Sequence, residues 1–173
     1  MEPFDGLVEG NRAYVAQGEH RALPVRPSKA MAIVTCMDSR LDVFASLGLE
    51  LGEAHIVRTA GARVTDDVLR SLTLSSHALG TRSVAVVAHT DCGVRDPDGT
   101  LVDRLTAAIG RPPLERSWHA FVDVEAMVRD DCAQLRRWPD RPDGLSVAGY
   151  LLDVDTGELS EVVPPGAVPD APR

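Results

Sequence analysis

Cysteine and histidine, two residue types that commonly bind metal ions, occur at two places in the sequence with a spacing that suits one site. The run His89-Thr90-Asp91-Cys92-Gly93 separates a histidine from a cysteine by two residues, so one turn can present both to a single metal ion. Cys36 lies far upstream and supplies a second thiol. Two thiolates and one imidazole leave the fourth coordination position of zinc to water or to a nearby carboxylate. These residue types therefore predict a catalytic zinc site on Cys36, His89 and Cys92.

A charged cluster begins at the first of these cysteines, in the run Cys36-Met37-Asp38-Ser39-Arg40. Asp38 and Arg40 are close enough for the guanidinium to hold the carboxylate through two hydrogen bonds. A carboxylate held in this way stays ionised and suits accepting a hydrogen bond from a zinc-bound hydroxide. It is also near enough to become the fourth ligand of the zinc. A purely structural Asp38–Arg40 ion pair is the alternative interpretation.

Short apolar runs of buried-strand type precede the candidate ligands. Residues 31–35 run directly into Cys36, and residues 83–88 run directly into His89. A further strand is predicted over 54–58. Because strands alternate with helical segments, the pattern predicts a parallel sheet with right-handed crossovers. Side chains just beyond the carboxyl ends of parallel strands line one crevice, so we expect Cys36 and His89 to meet there.

Helices are predicted around residues 5–17, 39–49, 65–80, 101–109 and 118–138. Two further strands, over 147–154 and 159–163, flank Asp155-Thr156-Gly157, a natural hairpin turn. The predicted fold class is therefore α/β. It has a mostly parallel central sheet of about four to five strands with flanking helices, an antiparallel or hairpin C-terminal strand and an N-terminal helical arm.

The length of 173 residues suits one domain, which we predict over residues 1–163. Residues 1–27 would form its N-terminal arm. The last ten residues, 164–173, are rich in proline and are predicted to be a disordered tail.

Composition and charge exclude several classes of partner. The formal net charge is -8 and aromatic residues make up 4%, which argues against binding to nucleic acid or to an anionic membrane surface. No stretch approaches the roughly 20 apolar residues that span a bilayer, and the acidic N-terminus does not resemble a signal peptide. Three cysteines without an export signal indicate reduced thiols, so a cytoplasmic location is expected.

Three motifs in this order closely resemble the pattern of β-class carbonic anhydrases, in particular their short bacterial branch. They are Cys36-x-Asp38-x-Arg40, then Arg58-x-Ala60-Gly61, then His89-x-x-Cys92-Gly93, and the similarity runs from about residue 27 to about residue 163. The sequence departs from the family at Thr59, where asparagine is usual, and at Ala62, where a second glycine is usual.

The resemblance implies one Zn²⁺ per chain on Cys36, His89 and Cys92, with Asp38 and Arg40 as the catalytic dyad. The implied reaction is the reversible hydration of carbon dioxide to bicarbonate and a proton by zinc-bound hydroxide. Gly61 is a candidate substrate-binding residue, and a tight turn without direct substrate contact is the alternative interpretation. The resemblance also implies a homodimer, with the N-terminal arm laid over the neighbouring subunit, and in many relatives two dimers pair into a tetramer.

Other functions are compatible with the same residues. A hydrolase for carbonyl sulfide or carbon disulfide would use the same hydroxide attack. A catalytically silent zinc-binding regulatory module is the non-enzymatic alternative. A cysteine phosphatase on Cys36 and Arg40 fails, because the three intervening residues are too few for a loop that cradles phosphate.

Overall fold

The computed structural model describes residues 4–18, 22–115 and 117–168. Within these ranges the chain forms one five-stranded sheet with the strand order β2-β1-β3-β4-β5. Its first four strands run parallel and the last pairs antiparallel to its neighbour, which confirms the predicted α/β class. The strands are β1 (Met31–Cys36), β2 (Ala54–Thr59), β3 (Ser83–His89), β4 (Ser146–Leu152) and β5 (Leu159–Ala167).

The central strands β1 and β3 are buried along almost their whole length. Their continuous apolar runs suit parallel strands that are covered on both faces. The two strands pair from Met31 opposite Ser83 to Thr35 opposite Val87. Because this register aligns their carboxyl ends, Cys36 and His89 arrive at the same edge of the sheet.

Five helices lie in the described residues, together with a short 3₁₀ turn over Ala60–Ala62. They are α1 (Leu7–Ala16), α2 (Val43–Leu47), α3 (Asp66–His77), α4 (Leu101–Ile109) and α5 (Val124–Arg137). Helix α3 contacts β1 and β2, and α5 contacts β3, β4 and β5. The contact of His55 with Ser75 and the close approach of Gly149 to Val128 put both helices on one face of the sheet. No helix within the described ranges combines the length and apolar character that crossing a membrane requires.

The predicted helix over 118–138 is wrong at its beginning, because α5 starts only at Val124. The Asp123 carboxylate accepts a hydrogen bond from the backbone N–H of Ala126 and so caps the helix there. Before the cap, Phe121 forms a parallel bridge with Arg95, and His119 has a positive φ of 49°. This extended segment cannot belong to a helix.

The helix predicted over 39–49 is also shorter than expected and spans only α2. Asp42 caps its first turn by accepting from the N–H of Ala45, and Gly48 ends it with a φ of 61°. Residues 39–42 instead belong to the loop that follows β1, which leaves Asp38 and Arg40 free of helical geometry.

The C-terminal strand extends into the segment for which a disordered tail was predicted. Strand β5 continues to Ala167, and the N–H of the buried Val168 donates to the carbonyl of Leu145. Residues 164–168 are therefore part of the folded unit, and 169–173 lie outside the described residues. At the other end, α1 confirms the predicted helical arm, and none of its residues is buried.

Candidate metal centre

The structure brings the three predicted ligands together at the carboxyl edge of the sheet. Cys36 ends β1, His89 ends β3, and Cys92 lies in the turn that follows. One side-chain ligand atom from each residue lies within 4.8 Å of the other two, and all three residues are buried. The two sulfur atoms are 3.9 Å apart.

The histidine presents a nitrogen that lacks a partner. Its Nδ1 lies 2.7 Å from the carbonyl oxygen of Thr90, so Nδ1 carries the proton and Nε2 keeps a free lone pair. Nε2 of His89 is buried without a hydrogen-bond partner among the described residues. Such an atom costs about 1–3 kcal/mol unless something binds it. An imidazole fixed through Nδ1 and free at Nε2 is the arrangement that metal-binding histidines adopt.

The two thiols share a proton in the absence of metal. The hydrogen bond with Cys92 is the largest influence that lowers the pKa of Cys36, to about 3, and N–H groups of Asp38 and Gly61 add to it. The same bond, followed by burial, raises the pKa of Cys92 well above its usual range. Burial is the largest influence and lowers the pKa of His89, but the nearby Cys36 sulfur with its charge, the Thr90 carbonyl and the charge of Asp38 raise it overall. One thiolate is thus present before any metal binds.

A set of two cysteine sulfurs and one histidine nitrogen fits zinc well. It is one of the three-ligand sets that catalytic zinc sites use. The unpartnered Nε2 and the preformed thiolate are the features that a metal would complete. The trio therefore forms a group that can hold a zinc ion.

The Asp38 carboxylate lies beside these three residues and is hydrogen-bonded to Arg40. Its Oδ1 accepts from the backbone N–H of Arg40 at 2.9 Å and from Nε at 3.0 Å, and its Oδ2 accepts from the NH2 group at 2.8 Å. The Arg40 guanidinium thereby holds the pKa of Asp38 well below its usual range. Oδ2 of Asp38 lies 3.8 Å from Nε2 of His89. The predicted two-bond clasp is present, and it turns one carboxylate oxygen toward the metal-binding atoms.

Gly61 lies in the tight turn Ala60–Ala62, which follows the end of β2 where Thr59 pairs with Cys36. Its φ of 73° belongs to the left-handed region, and a Cβ there would lie 3.2 Å from the Phe121 ring and 3.3 Å from Cβ of Val94. Its fully buried neighbour Ala62 has a φ of 60°, although it carries a side chain. Position 62, where a second glycine is usual in the resembled family, therefore has a backbone conformation that favours glycine although it is alanine in this chain. Contact between Gly61 and substrate remains a prediction.

Sequence reasoning gave no role to two residues that contact this site. The Arg58 side chain donates to the backbone carbonyls of Cys36, Asp38 and Leu41, so it braces the loop after β1. Asp91 accepts two hydrogen bonds from Arg40. Arg58 belongs to the second sequence motif, and Asp91 lies between His89 and Cys92 in the third. Neither motif indicates which atoms these two side chains contact.

Comparison with known proteins agrees with this geometry. The family model for carbonic anhydrase matches residues 31–99, which contain all three candidate ligands. Beta-carbonic anhydrase 1 of Mycobacterium tuberculosis is 40% identical over 166 residues, covering 95% of this chain and 100% of that protein. Carbon disulfide hydrolase of Acidianus sp. is 31% identical over 156 residues, covering 76% of each chain.

A solved structure gives the same result for the fold. The crystal structure of carbonic anhydrase from Streptococcus mutans matches with a TM-score of 0.88 at 43% sequence identity. The match covers 94% of this chain and 98% of that one. With nearly full-length similarity in sequence and in fold, this chain belongs to the β-carbonic anhydrase family.

Proposed function

We propose that this chain is a zinc-dependent carbonic anhydrase, a lyase that interconverts carbon dioxide and bicarbonate with release or uptake of a proton. One observation carries the proposal. The buried and unpartnered Nε2 of His89 faces two thiols, and the Arg40-held carboxylate of Asp38 lies 3.8 Å from that nitrogen. Membership of the β-carbonic anhydrase family supports the same reaction.

In this proposal Cys36, His89 and Cys92 hold one Zn²⁺ per chain. The zinc would act as a Lewis acid that lowers the pKa of a coordinated water toward neutrality and so supplies the nucleophile. Cys36 enters as a thiolate, because its pKa is about 3. Cys92 must lose its proton when the metal binds, since its pKa is raised. Thr90 fixes the histidine ring by accepting the Nδ1 proton.

Asp38 has the role of a hydrogen-bond acceptor beside the reacting water. Its Oδ1 already accepts two hydrogen bonds from Arg40, whereas Oδ2 accepts one and keeps a free lone pair. Because Arg40 keeps the carboxylate ionised, Oδ2 can accept but not donate. That restriction orients the water's proton toward Asp38 and its lone pair toward the carbon of the substrate. Coordination of Asp38 itself to zinc would block this role.

We propose that carbon dioxide lies against the apolar side of the turn at Gly61. Val94 and Phe121 pack there within van der Waals distance of the position that a Cβ would occupy. A small, uncharged and linear substrate needs such an apolar surface rather than ion pairs.

The carbon disulfide hydrolases among the relatives make that reaction the second candidate. The test is to measure kcat/KM for carbon dioxide by stopped-flow indicator assay and for carbon disulfide by sulfide release, on one zinc-loaded preparation. We expect a large preference for carbon dioxide. A preference for carbon disulfide would replace the proposed substrate, and zinc binding with neither activity would favour a silent regulatory module.

We also propose a homodimer in which the N-terminal arm of each chain covers the other. Helix α1 exposes apolar side chains along its length, namely Leu7, Val8, Tyr14 and Val15. The sheet face opposite α3 and α5 holds an apolar cavity of about 280 Å³ whose lining includes Ile33, Val87 and Tyr150. Light scattering on the full chain should give a dimer or a dimer of dimers, and a Val8→Glu variant should weaken it. A monomeric wild-type chain would contradict this assembly.

A cytoplasmic location and a single domain complete the proposal, and the domain predicted over residues 1–163 then extends to residue 168 with the end of β5. All three cysteines are free, which suits a reducing compartment.

A further inference from the structure

The Arg40 guanidinium lies between two aspartates that belong to different loops. Nε and NH2 donate to Asp38, on the loop after β1. On the other side, NH1 donates to Oδ2 of Asp91 at 2.8 Å, and NH2 donates to the carbonyl oxygen of Asp91 at 2.9 Å. All three guanidinium nitrogens are therefore engaged, and the chain Asp38–Arg40–Asp91 links the loop after β1 to the turn after β3, which carries Cys92.

Asp91 holds Arg40 with both its backbone and its side chain because of its conformation. It lies between His89 and Cys92 with a φ of 52°, a left-handed conformation that aspartate tolerates better than most residues. The turn that brings the two ligands together thus also directs the carbonyl and the carboxylate of Asp91 to one guanidinium. Backbone strain of this kind concentrates at functional sites.

Arg58 braces the backbone of the loop after β1, but Asp38 and Arg40 both lie on that loop, so Asp38 gives the Arg40 side chain no anchor on another element. Asp91 lies on the turn after β3, two residues after His89 and directly before Cys92. Its two hydrogen bonds therefore fix the Asp38–Arg40 pair relative to the histidine whose Nε2 is 3.8 Å from Asp38. We infer that Asp91 is a positioning residue, which acts through Arg40 to hold the Asp38 carboxylate in place for the reaction. This inference rests on the proposed function.

The competing explanation is an ordinary surface ion pair, because the Asp91 side chain is 81% exposed. The chain offers a matched control in Asp67, whose side chain is 78% exposed and pairs with Arg70 at 2.8 Å on helix α3. Both aspartates make one exposed ion pair with an arginine at the same distance. Only the pair of Asp91 continues to a carboxylate at the candidate metal centre.

The test compares Asp91→Asn, Asp91→Gly and Asp67→Asn in zinc-loaded protein. Asp91→Gly retains the left-handed turn and the carbonyl that accepts from Arg40, so it isolates the carboxylate. Both Asp91 variants should lower kcat for carbon dioxide hydration about three- to fivefold, the size expected for an exposed charge pair, with KM and zinc affinity unchanged within about twofold. Asp67→Asn should leave all three values unchanged. Wild-type kcat in the Asp91 variants, or zinc affinity falling in step with kcat, would overturn the inference.

A double-mutant cycle shows whether Asp91 acts through Arg40. In an Arg40→Gln background, Asp91→Asn should cause no further loss of kcat. An equal loss in both backgrounds would overturn the inference.

A measurement independent of activity separates this inference from the proposed function. The Nε–H proton of Arg40, assigned by its absence in Arg40→Lys, should exchange with water several times faster in Asp91→Asn than in wild type or Asp67→Asn. Unchanged exchange in Asp91→Asn would overturn the positioning role whatever the enzyme's activity. A wild-type chain that binds zinc but hydrates no carbon dioxide would overturn the proposed function instead.

Discussion

Arg58 donates a hydrogen bond of 2.8 Å from its Nε to the carbonyl oxygen of Cys36. The other two nitrogens of the same guanidinium donate to the carbonyls of Leu41 and Asp38. One side chain from β2 thus braces the end of β1 at Cys36 and the loop after it, which carries the candidate dyad. Three carbonyls in a fixed arrangement match the planar fork of arginine and not the single ammonium group of lysine.

Replacing Arg58 with lysine should therefore loosen this loop although the charge is kept. We expect kcat for carbon dioxide hydration or zinc affinity to fall about tenfold, as is usual when a residue that supports metal ligands is changed. The matched control is Arg82→Lys, since Arg82 also donates to two backbone carbonyls, those of Ser76 in the last turn of α3 and Thr81 in the loop after it. Equal effects in the two variants, or none in Arg58→Lys, would show that the brace is unimportant.

Zinc affinity should rise with pH, because the ligands must be deprotonated to bind. The hydrogen bond with Cys92 lowers the pKa of Cys36 far enough that Cys36 is a thiolate at neutral pH and adds no pH dependence there. Cys92 keeps its proton at neutral pH, so its loss on binding gives a gain of about tenfold per pH unit between pH 7 and 9. The raised pKa of His89 should steepen the slope at lower pH. Competition with a chromophoric chelator measures these slopes, and a flat profile would contradict the assignment.

Arg63 and Asp131 form an ion pair that ties α5 to the segment after Gly61. Nε and NH2 of Arg63 each donate at 2.9 Å to the Asp131 carboxylate, and the backbone N–H of Val64 donates to the same carboxylate. The Asp131 side chain is only 1% exposed. Asp131→Asn leaves the arginine without its counter-charge and should lower the free energy of unfolding by about 3 kcal/mol. Urea titration measures the loss. The exposed neighbour provides a control in Asp130→Asn, which should change stability by less than about 0.5 kcal/mol.

The single substitutions Gly61→Ala and Ala62→Gly should change the free energy of unfolding in opposite directions. Gly61→Ala adds a Cβ close to Phe121 and Val94 at a positive φ, and it should destabilise the chain by about 1–3 kcal/mol. Ala62→Gly relieves a positive φ in a fully buried residue and should stabilise it by about 1 kcal/mol. Denaturant unfolding of both variants checks the pair. Destabilisation by Ala62→Gly would mean that the loss of the buried methyl group and the greater freedom of the unfolded chain outweigh the relief of backbone strain.

The sequence was sufficient to predict the sheet and the ligand trio. Apolar runs that end at Cys36 and His89 indicate parallel strands, and parallel strands bring their carboxyl ends to one edge. The spacing of Asp38 and Arg40 likewise predicted a clasp that is now seen at 2.8–3.0 Å. In these cases local spacing and strand register fully determine which groups meet.

The remaining features depend on contacts that no local pattern reveals. The apolar residues around Phe121 suggested an earlier helix start, but that residue pairs with Arg95 and Asp123 caps α5. Proline-rich composition suggested a tail, whereas β5 continues because its partner strand offers hydrogen bonds as far as Ser146. Arg58 and Asp91 were missed for the same reason, since a guanidinium or carboxylate gives no sign in sequence of its distant partner.

Zinc-dependent hydration at the Cys36–His89–Cys92 site is tested most directly by stopped-flow carbon dioxide hydration, together with zinc content, for wild type, Cys36→Ser and Cys132→Ala. Cys132 is the matched control, because it is equally buried but contacts the carbonyl of Ala148 and lies outside the ligand trio. We expect one zinc per chain and fast hydration in wild type and Cys132→Ala, with both lost in Cys36→Ser. One zinc per chain without hydration in wild type, or full activity in Cys36→Ser, would contradict this expectation.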